Sequence, residues 1–313
     1  MIPLFDAHCD TLSYLLDHSD DTLLRSGGQW DLERLACYAP CAQFFAVFAD
    51  GAEQGPPMWE RFLQQVGLFD RLMEQYPNRI THCRTSAQAE QAAARGKVAA
   101  FLSVEGGELL DCDPEKLPAA WDMGVRAVNL TWNHANALSG SNKEEPERGL
   151  SQRGRDFARR MRELGMLIDV SHLSDRGFWD VMECAPGPVI ATHSNARSVF
   201  FHTRNLTDEQ ITAIIKGRGV IGLNLYEVFV GTPPTCVDTV IAHLERMLEL
   251  GGEETVALGG DWDGADPLAG GFTDISHWKR LYDALLCRNY PEKQIQNLFY
   301  NNMMRIVREV CDT

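Results

Sequence analysis

The chain has 313 residues, 44% hydrophobic and 23% charged, with a formal charge of −15. That length suits one α/β barrel with insertions, and an acidic balance without a basic block argues against a nucleic-acid partner. No apolar run approaches the roughly 18 residues of a membrane span, the start MIPLFDAHCDTL lacks the basic and apolar regions of a signal peptide, and nine cysteines without a CxxC pair suit reduced thiols, so a soluble, cytoplasmic protein is expected.

In chain order, strands are predicted at 3–8 (PLFDAH), 41–48 (CAQFFAVF), 97–105 (KVAAFLSVE), 125–132 (VRAVNLTW), 166–172 (MLIDVSH), 188–193 (PVIATH), 219–226 (GVIGLNLY) and 255–261 (TVALGGD). Segment 79–83 (RITHC) reads as an extra short strand or a linker. Amphipathic helices are expected at 57–76, 151–165, 207–219 and 237–251, with a closing helix over 291–310. Thr207 and Asp208 precede one helix, with Glu209 and Gln210 in its first turn, and Gly165 and Gly217 stand at expected C-terminal caps. The polar stretch 134–153 reads as a loop over the barrel mouth. Near-continuous apolar strands separated by helices indicate a parallel sheet covered on its outer face, and eight such units favour a closed (β/α)8 barrel, one domain over residues 1–313. The phosphate-binding glycine patterns GxGxxG and GxxxxGK[ST] are absent, which argues against a nucleotide site.

Most of these apolar runs end on residues that carry chemistry. His8 and Asp10 are two apart at a strand ending, so they share a face; a hydrogen-bonded pair and a metal site both fit that spacing. Glu105 follows VAAFLSV and needs a partner if buried, while Glu108 reads as a solvated loop residue. His172 and His193 each end a hydrophobic strand, and two such histidines together with His8 and Glu105 shift the balance toward metal. Asp169, three residues before His172, belongs to the opposite strand face and reads as structural or as a support behind a metal ligand. Asp261 ends the last strand and could take a proton from a metal-acidified water, with Asp263 as its competitor. Arg204 could grip a carboxylate, Tyr226 could place a phenol at the mouth, and either Trp132 or His134 could face substrate.

Together DAHCDT, SVEGG, LIDVSH, PVIATHSNAR…RN, NLY and GGDWDG resemble the membrane dipeptidase (renal dipeptidase) family of zinc dipeptidases, peptidase family M19, with the motifs in order from residue 3 to the C-terminal helix. The resemblance implies a TIM-type barrel of the metal-dependent amidohydrolase kind holding two Zn²⁺ per chain. It implies that His8 and Asp10 hold one ion, His172 and His193 the other, and Glu105 bridges them. Asp261 matches the acid/base residue, Arg204 the arginine that binds the substrate's C-terminal carboxylate, and Tyr226 a pocket tyrosine. Cys9 stands where many members have Asn; it points to the other strand face and is not expected as a ligand. Gapless matching puts Trp132 at the position of the family's substrate-contacting histidine, and His134 serves there only if the loop is shifted. The implied activity is hydrolysis of dipeptides with a free C-terminal carboxylate, L,D-dipeptides included, through a hydroxide held between the metals. Rival readings are a related amidohydrolase acting on an acylated amino acid or cyclic amide, and a non-catalytic binding barrel. No membrane partner is expected, and association as a homodimer is left open.

Overall fold

Alternation of side chains along the strands builds this molecule. In the computed structural model, which describes residues 1–51 and 55–312, the strands are β1 (Ile2–Cys9), β2 (Tyr38–Phe48), β3 (Ile80–His82), β4 (Val98–Glu105), β5 (Val125–Asn129), β6 (Leu167–Asp169), β7 (Ile190–Ala191), β8 (Val220–Leu223) and β9 (Val256–Leu258). Their hydrogen-bonded order is β2-β1-β9-β8-β7-β6-β5-β4, and β2 also pairs with β4, so eight parallel strands close into a barrel. The short segment at 79–83 is a strand, but it stands outside the ring. β3 pairs with residues 98–100 of β4, on the edge that β5 takes further along, at 102–105.

Each barrel strand contributes to one apolar cluster: Phe5, Phe44, Phe101, Ala127, Leu167, Ile190, Val220 and Ala257 are all buried in it. This is the filled lumen, with the rings of Phe5, Phe44 and Phe101 stacked at centroid distances of 5.1–5.8 Å. Met303, Ile306, Val307 and Val310 of the C-terminal helix Asn302–Cys311 belong to the same cluster and plug the N-terminal end of the barrel. The opposite parity, such as Leu4, Leu102, Val104, Ile168 and Leu258, packs outward against the helical layer. Residues at the strands' C-terminal ends are therefore left to form the open mouth.

Helices form where their boundaries were read. Met58–Gln75, Gln152–Glu163, Asp208–Lys216 and Val237–Glu249 lie within the four predicted segments. Thr207 caps its helix reciprocally with Gln210, through bonds of 3.2 and 2.8 Å. At Gly165 the backbone takes φ 69° just past the helix end, as a C-terminal cap requires. The second expected cap differs: Gly217 keeps φ −78°, and Arg218 takes the left-handed conformation at φ 59°. The closing helix is also interrupted, by a π-turn over Asn297–Asn301.

From β5 onward the predicted strands run longer than the observed ones at their C-terminal ends, whereas β1, β2 and β4 end at or just beyond the predicted residue. In β6 to β9 the cause is local: amides that would continue the ladders bond to buried side chains instead. Ser171 N and Thr192 N donate to Asp169 Oδ1 (3.0 and 3.2 Å), Gly260 N to Asp6 Oδ2 (3.1 Å), and Asn224 N to Asn195 Oδ1 (3.2 Å). Among the described residues, no helix is long and apolar enough to cross a membrane.

Candidate metal and substrate site

β1 carries the first two site residues to the mouth by a change of register. Its pairing with β2 shifts between Asp6 and Cys9. Phe5 and Ala7 face the lumen, whereas Cys9 packs in the outer core with its thiol toward Phe44 O (3.5 Å). His8 and Asp10 are thereby turned to the mouth, and the expectation that Cys9 faces away is met. Asp6 anchors this bend: it is fully buried and accepts from His8 N, Gln43 Nε2, Gly260 N and the indoles of Trp262 and Trp278 at 2.7–3.2 Å.

Five residues from four strand ends converge. Glu105 Oε1 lies 2.8 Å from His172 Nε2 and 3.4 Å from His193 Nε2, and its Oε2 lies 3.4 Å from His8 Nε2. His8 Nε2 is also 3.4 Å from Asp10 Oδ2 and 3.8 Å from Asp261 Oδ1. Three overlapping groups bring their ligand atoms within 4.8 Å of one another: His8, Asp10 and Glu105; Glu105, His172 and His193; and His8, His193 and Asp261. His8, Glu105, His172 and His193 are each at most 5% exposed.

The electrostatics of this cluster suit a cation. Burial, with the charge of Arg204 next, lowers His172 to about 4. Burial, followed by the charge of His8, holds His193 well below its ordinary value, so both imidazoles are neutral at pH 7. Burial alone would raise Glu105, yet His8, His172 and His193 hold it well below the usual carboxylate range. Asp10 is pushed up to about 7, first by burial and then by the neighbouring Glu105. Arg204 Nη2 donates to His172 Nε2 (3.1 Å), so that nitrogen presents a lone pair. It nonetheless sits 2.9 Å from His193 Nε2 and 2.8 Å from Glu105 Oε1, a meeting of acceptor atoms that a bound cation resolves. Among the described residues, the buried His8 Nε2 and Asp10 Oδ1 make no hydrogen bond.

A cavity of about 230 Å³ opens above these groups, lined by Asp10, Glu105, His172, Arg204, Tyr226 and Asp261, with Trp132, Phe48 and Phe229 as aromatic walls. Arg204 is 5% exposed, stacks 5.3 Å from the Phe229 ring, and makes no hydrogen bond at Nε among the described residues. Trp132 packs on Phe48 (4.8 Å between centroids) and faces His172 at 6.4 Å. His134 is outside the lining: it is 39% exposed and lies 3.3 Å from Asp50 and 3.4 Å from Glu144. Asp263, the rival of Asp261, accepts from Thr11 Oγ1 (2.6 Å) and Gln29 N (2.5 Å), which ties the loop at 26–31 to the mouth. Gly264 is held tight, since a β-carbon there would come 2.0 Å from Asp10 Oδ2. Glu108 is not solvated; it is half-buried and accepts from Asn136 Nδ2 (2.7 Å).

Besides Phe48 and Phe229, three further residues that the sequence reading passed over belong to the site. Thr192 and Asn224 are fully buried beneath it, and Ser13 lines the cavity. A strand-parity signal was present for Asn224, two positions before Tyr226. None was available for Thr192, whose role depends on a contact across strands.

The family model for the membrane dipeptidase family (peptidase family M19) matches residues 1–313. The chain belongs to this family. The enzyme is thus a metallopeptidase of dipeptidase class on a (β/α)8 barrel. It is 27% identical to an uncharacterised dipeptidase of Schizosaccharomyces pombe, over 99% of this chain and 81% of that protein. It is 31% identical to an uncharacterised protein of Klebsiella pneumoniae encoded in the pqqA 5′ region, over 79% of this chain and 95% of that one. A metallo peptidase from Rhodobacter sphaeroides, solved with a phosphinate mimic of the dipeptide L-Ala-D-Ala, is similar with a TM-score of 0.91 and 27% identity over 99% of both chains.

Proposed function

We propose that this dipeptidase holds two zinc ions per chain and hydrolyses the peptide bond of dipeptides with a free C-terminal carboxylate, L,D-dipeptides included. The observation that carries the reading is the convergence of His172 Nε2, His193 Nε2 and Glu105 Oε1 within 3.4 Å of one another, with the guanidinium of Arg204 at its edge. His8 and Asp10 would hold one ion, His172 and His193 the other, and Glu105 would offer one oxygen to each. Neutral imidazoles and ionised carboxylates are the donor set zinc takes. His172 and His193 are already neutral. Burial would lower His8, yet Glu105 and Asp10 hold it well above its ordinary value, so a bound ion would displace its proton. Zinc, when bound, supplies Lewis-acid polarisation of the scissile carbonyl and acidification of water.

The chain's own residues do the rest. Asp261, at the rim of the cluster, accepts the attacking water's proton and returns it to the leaving amine. Arg204 Nη1 donates to Ser171 O, and Nη2 now donates to an acceptor that a metal would claim; the Nε–Nη2 edge would then be left to take the substrate's carboxylate bidentately. Trp132, Phe48, Phe229 and Tyr226 wall the substrate and exclude water from the reacting bond. Acceptance of a D-residue at the C-terminal position is supported by the L-Ala-D-Ala mimic held by the Rhodobacter sphaeroides relative. A cytoplasmic setting is supported by the nine cysteines, all free thiols.

The test is a screen of L,L- and L,D-dipeptides on zinc-loaded and chelator-treated enzyme, with elemental analysis alongside. About two zinc ions per chain are expected, with turnover lost on chelation, and His172→Ala should retain about one ion and little activity. Trace metal with activity intact would sink the reading.

A further inference from the structure

The histidines that follow β6 and β7 differ on the side turned away from the cavity. His172 Nδ1 is buried and makes no hydrogen bond among the described residues. His193 Nδ1 lies 2.8 Å from Thr192 Oγ1, and that hydroxyl donates to Asp169 Oδ2. Asp169 is fully enclosed and also receives Ser171 N (3.0 Å), Ser171 Oγ (2.7 Å) and Thr192 N (3.2 Å). Two amides and two hydroxyls thus aim at one carboxylate, which is the acceptor of all four. A threonine hydroxyl has a single proton, and here it is committed to Asp169. Toward His193 the oxygen can only accept. The ring proton of His193 must then sit on Nδ1, and its Nε2 faces Glu105 as a bare lone pair.

We infer that Thr192, backed by Asp169, is a positioning residue that fixes His193 in the Nδ1–H tautomer, so that this histidine is a ready-made metal ligand before any ion arrives. His172 has no such support at Nδ1, and its Nε2 is kept an acceptor only by the Arg204 donor in the cavity. The inference rests on the metal reading above for its purpose, and on hydrogen-bond geometry alone for the tautomer. Asp169 serves the cavity through the next strand's threonine rather than by facing it.

Two measurements test it. The first is the histidine ¹⁵N spectrum of metal-stripped enzyme, in which long-range ¹H–¹⁵N couplings separate the tautomers. His193 should be Nδ1–H in wild type and Thr192→Ser, and should lose that preference in Thr192→Val. The second is titration of the stripped proteins with zinc chloride, with their thermal stabilities compared. Thr192→Val should bind one of the two ions about 10- to 100-fold more weakly, while Thr192→Ser, which keeps the hydroxyl, stays within about threefold of wild type. An Nε2–H tautomer in the wild type overturns the proposal, as does undiminished zinc affinity in Thr192→Val. If Thr192→Val does not fold, the wild-type spectrum still decides. A wild type that takes no zinc while showing the Nδ1–H tautomer would instead count against the metal reading.

Discussion

Asn224 donates its side-chain amide to Asp261 Oδ2 at 3.0 Å, leaving Asp261 Oδ1 turned toward His8 Nε2, 3.8 Å away. One carboxylate oxygen is thus held while the other stays open to a proton. Burial raises Asp261 above its ordinary range, and the Asn224 hydrogen bond is one of the contacts pulling it back. Asp261→Asn should therefore keep both metals but lose about 10²- to 10⁴-fold in kcat, because it removes a proton acceptor. Asn224→Ala removes a donor that favours the ionised form. Its smaller loss should come with the acidic limb of kcat/KM moved to higher pH. Near-normal turnover by Asp261→Asn would move the general base elsewhere. Asp263, already committed to Thr11 and Gln29, is a poor replacement.

Specificity for a free C-terminus should rest on Arg204. A charge-assisted bidentate contact is lost when the substrate carboxylate is amidated. Wild-type enzyme should cleave a dipeptide far better than its C-terminal amide, and Arg204→Ala should erase most of that preference. Arg204→Lys should restore only part of it, since ammonium keeps the charge but not the fork. The readout is kcat/KM for a matched acid and amide on each variant, and equal discrimination by wild type and Arg204→Ala would count against the anchor.

Trp132 and His134 make opposite predictions although they are two residues apart. Trp132 walls the cavity beside His172, whereas His134 is engaged with Asp50 and Glu144 at the surface. Trp132→Ala should raise KM and cut kcat/KM by about 10-fold or more, as loss of a buried apolar contact to substrate does. His134→Ala should change kcat/KM by no more than about twofold, in keeping with a part-exposed side chain outside the cavity lining. The reverse ranking in steady-state kinetics would show that the loop rearranges on substrate binding.

Acid should weaken the fold partly through His82. Burial, with the charge of Arg84 next, lowers this imidazole to about 4, and its ring stands edge-on to Phe69 at 4.9 Å. The folded state thus refuses a proton that the unfolded chain takes up near pH 6.5. Its contribution is complete above that value and is lost as pH falls toward 4, amounting to roughly 3 kcal/mol. Urea denaturation of wild type and His82→Gln at pH 7, 6 and 5 checks this: the gap between them should narrow as pH falls, and a constant gap would rule His82 out.

The sequence by itself determined the barrel. Apolar runs bounded by turns and helices have few places to bury two faces, and eight of them in parallel close on themselves. It also narrowed which residues could meet, because the C-terminal ends of the barrel strands converge on one mouth. His8, Asp10, Glu105, His172, His193, Arg204, Tyr226 and Asp261 all proved to stand around that mouth. Only the tertiary structure decided matters that depend on contacts between strands. Side-chain acceptors such as Asp6 and Asp169 ended the strands early by capturing backbone amides, an event that strand periodicity does not encode. The register shift in β1 turned His8 and Asp10 inward. The loop after β5 chose Trp132 over His134 for the cavity wall, because His134 found its carboxylate partners outside. The pairing of Thr192 with both Asp169 and His193 required β6 and β7 to be neighbours. Local pattern specifies which face a residue takes; hydrogen-bond partners distant in sequence specify what it can do there.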